Sequence, residues 1–373
     1  MPELRVTVHE DPAMIGALAQ AWDALLDPQT PNAVYSSAAW LLPWWKSYGG
    51  GRQPRILTAD RGERLVGVLP AYSLPTLGGN QVRLLGDGLV GSDHLGTIAA
   101  PEEGRPVAEA FASHLLHHEA DLLFERMSTE DPLLGALVRA RPKTVRLEWR
   151  EVAPCPAVAI HAYSGFSEWL ASLPRGTGGQ WLRRRRWFEK QSGFRLRVVT
   201  DRDSLGRGLD DLFRLHRERW SSEGGSQGIV GTTEETFHRQ SAQRLAERGW
   251  ARLFLLDAAG ASRAALYGFE RGGRFTFYQS GHEPAWRPHS PGTVLLGSAI
   301  ERAFSEGLAE FDLGHGDEPY KALFATTSRA LVTLRLSTTP RARLTATLDS
   351  LLRSTRALAP PALKRLVRSG IRR

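Results

Sequence analysis

The chain has 373 residues, enough for two domains with proper cores, and 42% hydrophobic against 24% charged residues excludes a disordered chain. Its one cysteine, Cys155, excludes an intrachain disulfide, and the eleven histidines show no zinc spacing, so no metal is expected. The formal charge of +8 points toward nucleic acid, but residues 338–373 hold nine basic residues against one acid and residues 1–337 are formally neutral.

The first residues, MPELRVTVHEDPAMIGAL, lack the basic start and apolar run of a signal peptide. No stretch approaches the ~18 apolar residues of a membrane span, so the expected location is cytoplasmic. Alternation and helical spacing then give a strand at residues 4–9, a helix over 15–26 and a tryptophan-rich helix over 38–48 carrying Trp40, Trp44 and Trp45. Strands follow at 55–59, 65–72 and 82–85, with 95–99 continuing the last. A helix over 107–117, a strand at 121–125, a helix over 132–139 and a strand at 145–149 complete the first half. Cys155-Pro156 and the turns around it suggest a linker.

The second half repeats the order. It has a strand at 194–199, helices over 210–220 and 234–248, and strands at 252–256, 264–270 and 275–280. A helix over 293–306, a strand at 310–313, a short helix from Glu318 and a strand at 331–336 follow. Two copies of one mixed α/β unit are therefore expected, over 1–153 and 154–337, with a basic helical tail over 338–373. In the tail, Leu344, Leu348, Leu351 and Leu352 share one helical face. Packing onto the body is its expected fate, and contact with an anionic membrane or tRNA the alternative.

The copies differ at one loop. In the second, the 293–306 helix opens with Ser290, Pro291 and Gly292: an N-cap residue, a proline suited to the first helical position, and a glycine that lets a ligand approach the backbone. Unpaired N–H groups and the positive end of the helix dipole suit a phosphate, and Arg287 adds a cation, so a pyrophosphate cradle competes here with an ordinary capped helix. The corresponding loop of the first copy carries Glu102 and Glu103, which repel phosphate. Only the second copy is thus expected to hold a nucleotide-bearing donor, and the first to wall the acceptor cleft.

Polar residues gather where the strand at 310–313 ends. His315 has an unperturbed pKa near ~6.5, suited to accepting an ammonium proton. Asp312, Asp317 and Glu318 are candidates to orient an amine, and Lys321 to bind an anion or oxyanion, against the plain alternative of a solvated loop. Asp93 and His94, in a glycine-rich loop, suit acceptor recognition or an Asx-turn. His216, Arg219 and Trp220 share a helical face, read as a cleft wall. The run Arg183 to Arg186, flanked by Trp181, Trp187 and Phe188, suits RNA or a solvated surface.

This order of elements, with the segment Arg287-Pro288-His289-Ser290-Pro291-Gly292 between a central strand and its helix, resembles the GNAT superfamily of N-acyltransferases, whose loop is Q/R-x-x-G-x-G/A. Ser290 stands where that family has its middle glycine. Trp40 to Trp45, Gly67-Val-Leu-Pro70, Gly91-Ser-Asp-His-Leu95, Leu215-His-Arg-Glu-Arg-Trp220, Ser290-Pro-Gly-Thr293 and Phe311-Asp-Leu-Gly314 resemble the tandem-GNAT branch of cellulose-biosynthesis-type acetyltransferases, relatives of Fem-type aminoacyl-tRNA transferases. The resemblance implies an acyl-CoA donor, probed first as acetyl-CoA, held by Arg287, His289, Ser290, Gly292 and Thr293. It implies that the backbone at Tyr278, Gln279 and Ser280 binds the pantetheine, and that Tyr320 protonates the leaving thiolate.

The expected activity is direct acyl transfer from a coenzyme A thioester to an amine of a small-molecule, sugar or amino-acid-like acceptor. Two alternatives stand beside it: a Fem-like transferase using aminoacyl-tRNA, and a non-catalytic module that binds through its tail.

Overall fold

A computed structural model describes residues 3–119, 121–221, 229 and 231–358. The chain opens with β1 (Leu4–His9), α1 (Ala13–Leu25) and α2 (Ala38–Tyr48), then β2 (Gln53–Pro54), β3 (Ile56–Arg61), β4 (Arg64–Leu69), β5 (Ala71–Thr76), β6 (Gly79–Leu84) and β7 (Ile98–Ala99). The run expected as one strand over 65–72 is split at Pro70. Proline has no N–H for a ladder, and here the chain leaves one sheet and enters another. β4 lies in a four-stranded sheet of order β1-β3-β4-β7, whereas β5 lies beside β6 in a second sheet. The half continues with α3 (Gly104–His118), β8 (Asp121–Ser128), α4 (Pro132–Ala140) and β9 (Arg146–Glu151).

The second half comprises β10 (Cys155–Ala159), α5 (Phe166–Ser172), α6 (Thr177–Glu189), β11 (Arg195–Val199), α7 (Arg202–Ser221) and α8 (Thr232–Glu247). It goes on through β12 (Ala251–Ala258), β13 (Ala261–Arg271), β14 (Arg274–His282), α9 (Pro291–Ser305), β15 (Glu310–Asp312), α10 (Pro319–Phe324) and β16 (Thr327–Arg329). These strands form a seven-stranded sheet of order β11-β12-β13-β14-β15-β10-β16. The segment read as a linker is thus an inner strand: β10 pairs antiparallel with β15 on one side and β16 on the other, and Cys155 is fully buried. Pro156 misled the reading, yet its carbonyl still accepts a bond from the Leu313 N–H.

The last strand, β17 (Leu331–Ser337), does not join that sheet. It enters the first half between β8 and β9, completing the order β2-β5-β6-β8-β17-β9. Its Arg335 is buried against Asp121, which also accepts bonds from Gln81 and Ser337. α11 (Pro340–Leu358) follows. It seats Ala342 and Ala346 against the body and turns Leu344, Leu348, Leu351 and Leu352 outward, the reverse of the expected packing.

One apolar core runs through the first half and across to α7, α8 and one face of β12 and β13; a second lies under α5, α6 and α9 on the other face. Trp40 of α2 sits where the halves meet. Its ring lies edge-on to Phe237, Phe269 and Tyr278, and its Nε1–H donates to Ser92 Oγ at 2.9 Å.

Candidate active site

The site is built where β14 and β15 part. They pair in parallel only from Arg274–Glu310 to Thr276–Asp312. Just beyond, a bulge interrupts the pairing of β14 with β13: Gly268 opposes Phe277 while Tyr267 opposes Gln279, leaving Tyr278 as the extra residue. A bulge inserts one residue and reverses which face the following side chains take. Phe277, Ser280 and His282 therefore share one face and line a cleft, together with Leu266, Leu296, Arg219, Arg287, Ser290, Pro291, Gly292, Thr293 and Tyr320. The cleft measures about 290 Å³.

Its far wall is the start of α9. No side chain caps this helix, so Ser290 is not the side-chain cap expected of it. Ser290 instead takes a left-handed backbone, φ 54° and ψ 57°, and closes the preceding turn through its N–H to the Arg287 carbonyl at 3.0 Å. That conformation favours glycine, which is why glycine suits this position better than serine. Within the first turn Pro291 has no N–H and the Val294 N–H already bonds the Ser290 carbonyl, whereas Gly292 and Thr293, whose amides have no intrahelical acceptor, line the cleft. α9 is held from behind by α6. Trp181 donates to the Val294 carbonyl, a side chain at Gly297 would collide with the Trp181 ring, and Arg185 donates to Ser298 Oγ at 2.7 Å. The arginine-rich helix is thus a buttress of the cleft wall, with Trp181 and Phe188 buried.

Tyr320, at the start of α10, faces the same cleft. Burial, and then the Glu318 carboxylate, raise its phenol above the ordinary range while Arg219 opposes them. The hydroxyl keeps its proton at any physiological pH. Lys321 is not at the surface. Its ammonium is buried and donates to the carbonyls of Gly314 and His315, at 3.3 and 2.7 Å, and pairs with Glu318 at 3.0 Å. It fixes the loop between β15 and α10.

That loop carries His315 into contact with the first half. Asp93 Oδ2 accepts from His315 twice, from the backbone N–H at 3.1 Å and from Nδ1 at 3.1 Å, while its Oδ1 lies 2.9 Å from the same ring nitrogen. A carboxylate beside Nδ1 fixes the hydrogen there and leaves Nε2 as the basic nitrogen. Burial pushes the Asp93 carboxyl up, but His315, Arg126 and His94 outweigh it and hold it below the usual range. The His315 side chain stays one-third exposed, at 33%, beside an Asp93 at 4%. His94 is buried in a left-handed conformation, φ 58°, with Nε2 3.8 Å from Asp312. Asp312 is itself buried and accepts the Gly314 N–H at 2.7 Å, so it shapes the turn instead of meeting a ligand. Asp317 and Glu318 are exposed.

Several expected donor and acceptor residues sit elsewhere. Tyr278, displaced by the bulge, points away from the cleft and donates to the Val90 carbonyl across the meeting of the halves. Gln279 does not line the cleft, and the His289 ring stacks on Trp187. His216 is buried with Nδ1 3.2 Å from the Ser280 carbonyl. Burial brings its pKa down to about 4, and Arg219 and Arg217 add to this. The side chain of Trp220 lies outside the described residues. His282, Phe277, Leu266 and Leu296 were missed as cleft residues. His282 was within reach, since it lies two residues beyond Ser280 on a strand.

The cleft thus lies where two parallel strands part, beside a helix start with no side-chain cap. Residues 179–322 match the family described as Acetyltransferase (GNAT) domain. The domain match lies within the second half of the chain, and the protein is an acyltransferase. No curated protein matches the sequence. Among solved structures, FemX is similar at a TM-score of 0.60 and 12% identity, over 89% of this chain and 98% of that one. A conserved protein of unknown function from Bacteroides thetaiotaomicron VPI-5482 is similar at 0.53 and 10%, over 89% and 100%. L-PGS from Bacillus licheniformis is similar at 0.50 and 10%, over 92% and 96%. The fold shared with FemX therefore extends over both halves, across 89% of this chain.

Proposed function

We propose that the protein moves an acyl group, acetyl in the first instance, from a coenzyme A thioester to the amine of a small-molecule, sugar or amino-acid-like acceptor. The observation that carries this reading is that the uncapped start of α9, Arg287 and Tyr320 line one cleft. The residues present suit a pyrophosphate-bearing donor: the Gly292 and Thr293 amides at a positive helix end, a tight left-handed turn, and the cations Arg287 and Arg219.

The chain's own groups then divide the proton work. His315 Nε2 takes the proton of the attacking amine, and Asp93 steadies the imidazolium formed. As nitrogen bonds to the thioester carbon and the carbon–sulfur bond breaks, Tyr320 gives its proton to the departing sulfur. Cys155 supports direct transfer, because burial, with Asp93 and Asp312 beside it, pushes its thiol far up and leaves no accessible thiolate to carry the acyl group.

Calorimetric titration with acetyl-CoA tests the reading. Binding that weakens at least about tenfold in Arg287→Ala/Gly292→Trp is expected; no heat at millimolar ligand would overturn it. Parallel assays with charged tRNA separate the aminoacyl-tRNA reading, which predicts turnover there and none with the thioester.

A further inference from the structure

We propose that α11 docks this protein on an anionic lipid surface, lying in its plane. The helix has two unlike faces, and the body already holds one of them. Ala342 and Ala346 are fully buried, the backbone of Gly78 lies against Ala342 and Thr345, Asp349 pairs with Arg335 at 2.7 Å, and Arg146 donates to Thr347.

The opposite face is apolar and open. Leu344, Leu348, Leu351 and Leu352 are 63%, 48%, 58% and 57% exposed. Leu77, whose carbonyl accepts from Arg341 at the start of the helix, is also 80% exposed. Leucines at successive turns, held outward by a helix fastened on its other side, form one apolar surface. The helix that bears them belongs to a segment with nine basic residues against one acid, set on a formally neutral body.

Charge decides the occupant. A second copy would bring the same cationic segment against itself, which repels, whereas an anionic bilayer offers both an apolar layer for the leucines and counter-charge for the arginines. RNA would use the cations and leave the leucines idle. Among the described residues no helix is long and apolar enough to cross a membrane, so the contact is a surface one.

The full chain is sedimented with phosphatidylglycerol/phosphatidylcholine vesicles and with pure phosphatidylcholine vesicles, at low and high salt. Binding to the anionic vesicles at low salt is expected. It should fall about tenfold in the Leu344→Gln/Leu348→Gln/Leu351→Gln/Leu352→Gln variant and weaken in high salt. Because these leucines are exposed, the variant should keep the parent's thermal unfolding temperature. Absence of binding to anionic vesicles, or equal binding by the variant, overturns the proposal. So does conversion of a dimer to a monomer in the variant, or RNA binding that ignores the leucines in a chain that does not sediment with lipid.

Discussion

Tyr320 is a phenol that holds its proton more firmly than an ordinary tyrosine. It faces a cleft that a substrate can enter, yet burial and Glu318 keep its hydroxyl protonated. An acid of this kind matters only when sulfur departs. Tyr320→Phe should therefore lower kcat about a hundredfold and leave the KM for the thioester nearly unchanged, as read from steady-state rates. His216 illustrates the other use of a buried titratable group. Its pKa near 4 lies below that of an exposed histidine, so the unfolded chain binds the proton first as pH falls. Stability from this residue is complete above pH ~6.5 and drains as pH drops toward 4. The loss should be about 2 kcal/mol between pH 7.5 and 5, and His216→Gln should flatten that part of the curve in urea titrations.

At the scale of elements, most helices and strands were legible because their apolar spacing is regular, and the loop between β14 and α9 was legible because its proline, glycine and arginine each carry a local reason. Faces were harder. Tyr278 and Ser280 have the same parity, so alternation places them together; the bulge between them separates them, and nothing in the letters around Tyr278 announces an extra residue. The pairing of Asp93 with His315 was equally hidden, since the two lie in different halves and meet only after folding. Ser290 shows how a legible motif can still be misassigned in detail. Its side chain suggests a cap, but its backbone occupies the left-handed region that glycine tolerates best. Ser290→Gly should raise stability by up to about 1 kcal/mol in urea unfolding without weakening donor binding, whereas Ser290→Val should lose both.

For the whole molecule, the exchange of strands outweighs the repeat of elements. β10 follows the first half and becomes an inner strand of the seven-stranded sheet, while β17 follows that sheet and enters the six-stranded sheet of the first half. The interlock is polar as well as apolar: Arg335 on β17 reaches Asp121 on β8 from one side and Asp349 on α11 from the other. Removing that cation leaves the buried Asp121 carboxylate with the Gln81 and Ser337 donors but no counter-charge. Arg335→Met should cost about 3–5 kcal/mol, and Arg335→Met/Asp121→Leu should recover part of it, the buried Gln81 and Ser337 donors then lacking their acceptor. Because one apolar core joins the halves, chemical denaturation should show the loss as a shift of a single transition, not as the early melting of one half.

The late position of β17 also sets a timetable for biosynthesis. While the ribosome is still making α7 to β16, the sheet begun by β5, β6 and β8 has a slot one strand wide beside β9. The nascent amino-terminal portion must wait for nearly the entire polypeptide to emerge before that slot is filled. A gene cut at the apparent joint between repeats would yield a piece with an open sheet edge and every incentive to aggregate.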